Sequence, residues 1–455
     1  MQSIAKLSEF TGHLRDLTRA TQSEQSSWPD EIFGNLALKL FALQYERNEP
    51  YRRLCEARGI VQSPKIGHWK KIPAVATSAF KDLELTCLPP GNRTTVFHSS
   101  GTTEHRPSRH FHNAESLAVY EESLLRCFSR HLRIEQPIPI ISLTPPPEMA
   151  PHSSLVHMFE TLRRRFGNDD SVFLGQIAED GGWALNAEAA VEALGRRAEM
   201  EHPILILGTA FSYVHLLDYL TDRNISLKLP AGTVSMETGG YKGRSRAVPK
   251  HELHQLICEQ LGISETNIIC EYGMSELSSQ AYARSAIHSP SHSHSSRRKE
   301  AQFQNPKGIA PQSPDLPANN PEGIAPSSPG LRGTSYPGFE ATNLHNPERV
   351  VPNAPCSTVH GEAYSNPMSK DPVLTSALTR VFHFPTWTRV QIISPETGRE
   401  VNEGETGLIR VFDLANVFSV MALQTEDLGI RRADGFELVG RASFAEARGC
   451  SLMAV

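Results

Sequence analysis

The chain has no paired cysteines, no long apolar run and no strong charge of either sign. Its seven cysteines are scattered at positions 55, 87, 127, 258, 270, 356 and 450, with no CxxC spacing. That excludes a disulfide framework or a zinc ribbon and fits a reducing compartment. No uninterrupted apolar segment approaches the roughly 18 residues that a membrane-spanning helix requires. The stretch Met1 to Arg19 is polar, mixed in charge and lacks the apolar core of a signal peptide. These absences predict a cytoplasmic protein with no membrane span. With 45 basic against 50 acidic residues and a net charge of −5, no overall basic field points to nucleic acid as a partner.

Several familiar site motifs are missing too. No GxGxxG fingerprint follows a strand, and no lysine follows Gly101-Thr102-Thr103 in the register of a Walker loop. Ser99 and Ser100 lack the GxSxG elbow of a serine hydrolase.

What is present begins with alternating strand and helix patterns. Ile32, Leu36, Leu40 and Leu43 recur at helical spacing between Glu31 and Glu46. Ile138–Leu143, Ile204–Leu207, Ala231–Met236 and Asn267–Cys270 read as buried strands, with helices expected over Tyr213–Thr221 and Lys250–Leu261. Such repeats predict an α/β sheet with functional loops at the carboxyl ends of the strands. After the break, Val390–Ile393 and Gly407–Phe412, around the turn 395–398, form a credible antiparallel pair.

The break itself is compositional. Residues 285–378 hold 14 of the 32 prolines, and Asn305–Pro314 recurs imperfectly as Asn320–Pro329. This reads as a disordered Pro/Ser-rich insertion, its His288, His292 and His294 a solvated tract. The expected organisation is an N-terminal segment 1–29, a catalytic domain from 30–284 and 379–455, and the insertion between its parts.

The chemistry concentrates in three places. Val96-Phe97-His98 runs into Ser99-Ser100-Gly101-Thr102-Thr103, whose small residues, backbone N–H groups and hydroxyls suit a polyphosphate, although such clusters also form plain polar turns. At Glu271-Tyr272-Gly273-Met274-Ser275-Glu276, a strand end presents Tyr272 to a purine. There Ser275 is a phosphate donor and Glu276 a hard oxygen ligand for Mg²⁺. Asp427, expected in a polar turn, suits a pair of ribose hydroxyls. The plainer readings are a core aromatic for Tyr272, a turn former for Asp427 and a surface ion pair for Arg441.

These motifs, with Gly440-Arg441, stand in the order seen in adenylate-forming acyl-activating enzymes. Within that superfamily the chain resembles the acyl-protein synthetase (LuxE-type) branch, related to phenylacetate–CoA ligases. Thr238-Gly239-Gly240-Tyr241-Lys242-Gly243, Ser278-Ser279-Gln280 and Arg448-Gly449-Cys450-Ser451-Leu452 carry the closer likeness. The resemblance implies the large domain of that fold, with mixed sheets packed by helices and a small antiparallel β region, without the usual C-terminal small domain. It also implies ATP and Mg²⁺, formation of an acyl-adenylate, and capture of the acyl group by a thiol. Gly239 and Gly240 would let backbone approach the adenine or acyl carbonyl, Arg441 would meet ribose or phosphate, and Cys450 would be the acyl acceptor unless it is a buried structural thiol. The implied substrate is a fatty or aryl acid, and the implied partner an acyl-CoA-reductase-type protein. Two departures stand out: Glu104 follows the phosphate loop, with Ser108 where the family has a lysine, and fourteen residues follow Arg441. The rival readings are a CoA ligase of the phenylacetate type and a non-catalytic nucleotide-binding or scaffold protein.

Overall fold

The computed structural model describes residues 2–21, 28–60, 66–99, 106–132, 136–241, 245–284 and 380–442. The expected insertion, with its three histidines, lies outside them, as do Ser100 to Thr103, Glu104 and Cys450. Helices α1 (Gln2–Ala20), α2 (Asp30–Arg47) and α3 (Glu49–Ala57) open the chain, followed by β1 (Val75–Ala76) and α4 (Ala79–Asp82). Strands β2 (Thr95–His98) and β3 (Arg109–His112) form a hairpin, and α5 (Ala114–Ser129) follows.

The α/β layer then runs β4 (Ile140–Ser142), α6 (Ser154–Phe166), β5 (Val172–Phe173), the hairpin β6 (Gly175–Ile177) and β7 (Trp183–Leu185), and α7 (Ala187–Ala198). It continues through β8 (Leu205–Thr209), α8 (Ala210–Asp222), β9 (Val234–Thr238), α9 (Lys250–Leu261), β10 (Ile268–Tyr272) and β11 (Ala281–Arg284). From residue 380 on come β12 (Thr388–Ile393), β13 (Thr406–Asp413), β14 (Ala422–Arg431) and β15 (Phe436–Arg441).

The central sheet has the order β11-β10-β9-β8-β4-β5, parallel except at β11. Its strands are near-continuous apolar runs because both faces are covered. Leu205, Leu207, Met236 and Ile269 pack with Leu124, Phe128 and Phe159 of α5 and α6. Ile141, Ile206 and Ile268 pack with Leu194, Leu217 and Ile257 of α7, α8 and α9. The parallel strands all end on one side, so Thr209, Thr238 and Tyr272 emerge together there.

The second sheet, β1-β14-β13-β12 with β15 beside β14, is antiparallel apart from β1. The expected pairing of 390–393 with 407–412 is part of it. Helix α9 has the expected bounds: Leu253, Ile257 and Leu261 bury one face, and Gly262 at φ 69° closes it in the left-handed region that glycine tolerates.

Two expectations shift. In α2 the buried stripe starts at Phe33, leaving Ile32 43 % exposed. The polar start of the chain forms α1, whose Leu7, Phe10 and Leu14 are buried in the same core as α2 and the second sheet. Arg15 and Arg19 also pair with Glu122 of α5, each at 2.8 Å. Three apolar residues at i, i+3 and i+7 suffice to bury one side of an otherwise polar helix. Cys55, Cys87, Cys127, Cys258 and Cys270 are free thiols. Among the described residues, no helix is long and apolar enough to cross a membrane.

Candidate active site

An open cleft of about 270 Å³ lies at the carboxyl ends of the parallel strands. Its walls include Ser99, Gly239, Gly240, Tyr272, Gly273, Ser275, Glu276, Asp427 and Arg441, which is every expected site residue that the structure describes. Segments more than 300 residues apart in sequence converge there, at the switch side where open α/β sheets bind ligands.

Ser99 and Ser108, which flank the expected phosphate loop, are tied to each other twice. The Ser99 amide donates to the Ser108 carbonyl (3.2 Å), and the Ser108 amide donates back to Ser99 Oγ (3.0 Å). Ser108 Oγ then donates to Glu276 Oε1 at 2.7 Å. Ser108, the residue expected at a lysine position, therefore links Ser99 to the acidic end of the tyrosine motif. Ser275 braces the end of β2, because its hydroxyl donates to the His98 carbonyl at 3.0 Å. In this arrangement its proton is directed to that carbonyl, while the side chain lies on the cleft wall. The Ser275 carbonyl accepts from His110 Nδ1 at 2.8 Å, and burial pushes the His110 pKa down to about 4 despite that bond. His110 is a neutral scaffold residue.

Tyr272 lies edge-on to Phe436 (5.3 Å between ring centroids) and Phe382 (6.2 Å), and its hydroxyl donates to Asp427 Oδ2 at 3.0 Å. Asp427 is not in a turn. It sits inside β14, opposite Arg441 of β15, beside an irregularity in the β13–β14 pairing, and its amide donates to Thr425 Oγ1 at 3.2 Å. Arg441 reaches Glu426 (2.6 Å) and Asp427 (3.6 Å). Gly239 adopts φ 70°, and a side chain at Gly273 would collide with the Glu271 carboxylate.

Sequence reasoning missed three groups. Glu271 lines the cleft and accepts from Thr238 Oγ1; burial, and secondarily the nearby Glu237, push its pKa up to about 7 against the Thr238 bond. Asp413 is fully buried and accepts from the Ser278 amide (3.0 Å), Ser279 Oγ (2.7 Å) and the Ala415 amide (3.0 Å). Asn416 adds an Nδ2 bond to the Glu276 carbonyl at 2.8 Å. Together they hold the tyrosine motif from behind.

The third group is Lys250, whose Nζ lies 2.8 Å from Glu237 Oε1, with His254 Nε2 at 3.2 Å from the same oxygen and 3.8 Å from Cys270 Sγ. Glu237, His254 and Cys270 cluster closely enough to hold a metal ion. The ammonium of Lys250 and the Arg380 guanidinium, 3.4 Å from Cys270 Sγ, oppose a dication there. A Cys-His-Glu relay fails as well: both contacts fall on one imidazole nitrogen, whereas a relay needs two, and burial pushes the thiol up to about 12.

In fold, this is an adenylate-forming enzyme. The structure of 2-hydroxyisobutyryl-CoA ligase in an open conformation, in complex with 2-HIB-AMP and CoA, matches with a TM-score of 0.53 at 12% identity, over 92% of this chain and 77% of that one. The same ligase in its thioesterification state matches with a TM-score of 0.52 at 12% identity, over 91% and 68%. No curated protein sequence matches the chain. The profile of the family "Acyl-protein synthetase, LuxE" matches residues 19–285, more than half the chain, and the chain belongs to that family. It is an ATP-dependent, AMP-forming ligase that activates a carboxylic acid.

Proposed function

We propose that the chain activates a fatty acid as its acyl-adenylate and passes the acyl group to a thiol, either its own Cys450 or that of a protein partner such as an acyl-CoA-reductase-type enzyme. The observation that carries this reading is the convergence of Ser99, Tyr272, Glu276, Asp427 and Arg441 on one cleft.

A carboxylate oxygen attacks the α-phosphorus of ATP, the new C–O–P linkage forms as the α–β anhydride breaks, and pyrophosphate leaves. A thiolate then attacks the acyl carbonyl, forming the C–S bond while AMP departs with the C–O bond's electron pair. The phosphate loop at Ser99–Thr103 meets the pyrophosphate end. Gly239, Gly240 and Gly273 allow backbone to approach the nucleotide, and Tyr272 walls the purine. Asp427 accepts from the ribose hydroxyls, and Arg441 lies beside them. Glu276, with the hydroxyls of Ser99 and Ser108 close by, gives an all-oxygen donor set that fits Mg²⁺. When bound, that ion neutralises charge on the phosphates.

Pyrophosphate exchange into ATP, measured across a chain-length panel of fatty acids, is the direct test. Acid-dependent exchange is expected, and none with any acid would sink the activity. Mass spectrometry of the C-terminal peptide should show a thioester on Cys450. Unchanged thioester output with free CoA after Cys450→Ala would favour a CoA ligase instead.

A further inference from the structure

Among the described residues lining the cleft, the carboxylates are Glu271, Glu276, Glu426 and Asp427, and the cations are Lys250 and Arg441. Two of those acids already share Arg441. The proposed reaction brings a further carboxylate and a triphosphate into this space, and two anions must meet at the α-phosphorus. That meeting is repulsive unless a fixed positive charge stands at it.

Lys250 is placed for this. It is the first residue of α9, its side chain lines the cleft, and that side chain is 40 % exposed. Its ammonium is anchored on Glu237, which is completely buried and lies in β9 immediately before Thr238 of the cleft wall. His254 steadies the same carboxylate oxygen from behind. An ammonium has three donors, and the one bond to Glu237 leaves capacity for an incoming anion. Burial works against its charge, but Glu237 outweighs that and holds its pKa above the ordinary lysine value. Lys250 therefore stays a cation and does not serve as a base.

We propose that Lys250 is a further catalytic residue of the acid-activating reaction, its ammonium binding the anionic oxygens at the reacting centre, with Glu237 as its positioning residue. The ligand chemistry is an oxyanion, supplied by the acid's carboxylate or by the α-phosphate. This inference rests on the activity proposed above. Its role is charge compensation as the carboxylate oxygen bonds to phosphorus and pyrophosphate departs.

The test compares Lys250→Met and Lys250→Arg with the wild type in fatty-acid-dependent pyrophosphate exchange, alongside calorimetric binding of ATP and of the acid. Lys250→Met should lose on the order of 100-fold in kcat/KM, with partial recovery in Lys250→Arg. A raised KM for the acid alone assigns the carboxylate, a raised KM for ATP alone assigns the phosphate, and a lower kcat alone assigns the transition state. Each supports the cation. Wild-type kinetics and binding in Lys250→Met would overturn it. Absence of exchange in the wild type would count against the activity only, since loss or retention of anion binding in Lys250→Met still decides the lysine. Glu237→Gln guards against a purely structural effect. The cation remains but its pKa falls, so activity should drop on the alkaline side of the pH profile, and Glu237→Asp should restore it. An unshifted profile in Glu237→Gln overturns the positioning role.

Discussion

The two walls of the cleft are built on different principles. The wall from the parallel sheet ends in groups that are individually fastened and, Lys250 apart, buried: Glu271 to Thr238, Ser275 to His98, Glu276 to Ser108, and Lys250 to the buried Glu237. The wall from the antiparallel sheet is a part-exposed ladder of charges in which Arg441, Glu426 and Asp427 share one another. Burial raises the cost of breaking each contact, whereas solvent screens the contacts at the rim. Substitutions behind the first wall should therefore cost stability, and substitutions on the second should cost binding.

The largest effect is expected at Asp413, which supports the first wall from the end of β13. Asp413→Ala strands the Ser278 and Ala415 amides and the Ser279 hydroxyl without their buried acceptor. Denaturant unfolding should show a loss of about 3–5 kcal/mol. A loss below about 1 kcal/mol would mean that the clamp does not bear on the fold.

Next comes Glu271. Its folded pKa of about 7 lies above the ordinary 4.5, so folding binds its proton more tightly. Below pH 4.5 the carboxyl is protonated in both states and adds no penalty; as pH rises to 7 the unfolded chain ionises first and stability falls. Two and a half units amount to roughly 3 kcal/mol. Buried neutral His110 works in the opposite direction, its contribution being lost as pH falls towards 4. The informative quantity is thus the difference between wild type and Glu271→Gln, measured as unfolding midpoints at pH 5 and pH 8. The wild type should lose more stability than the variant over that interval. Equal slopes would place the Glu271 carboxylate in contact with water.

These two walls were not equally legible in the sequence. Helix α9 and the antiparallel pair of β12 and β13 follow from local periodicity, and the tyrosine motif from residue order. Thr425-Glu426-Asp427 looks like a polar turn, and only the pairing with β15, 14 residues on, places Asp427 in a strand. The start of α1 hid its packing behind polar residues, with Leu7, Phe10 and Leu14 as a narrow stripe. Lys250, Glu271 and Asp413 carry no local signal. Lys250 meets a carboxylate 13 residues away, and Asp413 meets hydroxyls and amides some 134 residues away, so each acquires its meaning only when strands align.

A middle-sized effect is expected at the rim. Arg441→Ala should raise the KM for ATP by 10- to 100-fold, about 1.4–2.7 kcal/mol, while the unfolding midpoint stays close to wild type. A comparable loss of stability without a change in KM would make the rim structural and erase the contrast between the walls.

The smallest effect separates the two meanings of the rim pair. Arg441 and Glu426 lie 2.6 Å apart, each with about a quarter or less of its side chain exposed. Such a pair contributes about 0.2–1 kcal/mol, and less as salt rises beyond roughly 0.1 M. Glu426→Gln should therefore shift stability by under about 1 kcal/mol, with the difference shrinking in salt. Its effect on ATP should have the opposite sign to that of Arg441→Ala, because losing a competing carboxylate leaves the guanidinium more available to phosphate or ribose. A KM for ATP that falls or holds steady fits a binding rim. A KM that rises in parallel with Arg441→Ala would show that Glu426 is needed to orient the arginine, and the rim would then work by the same fastening as the buried wall.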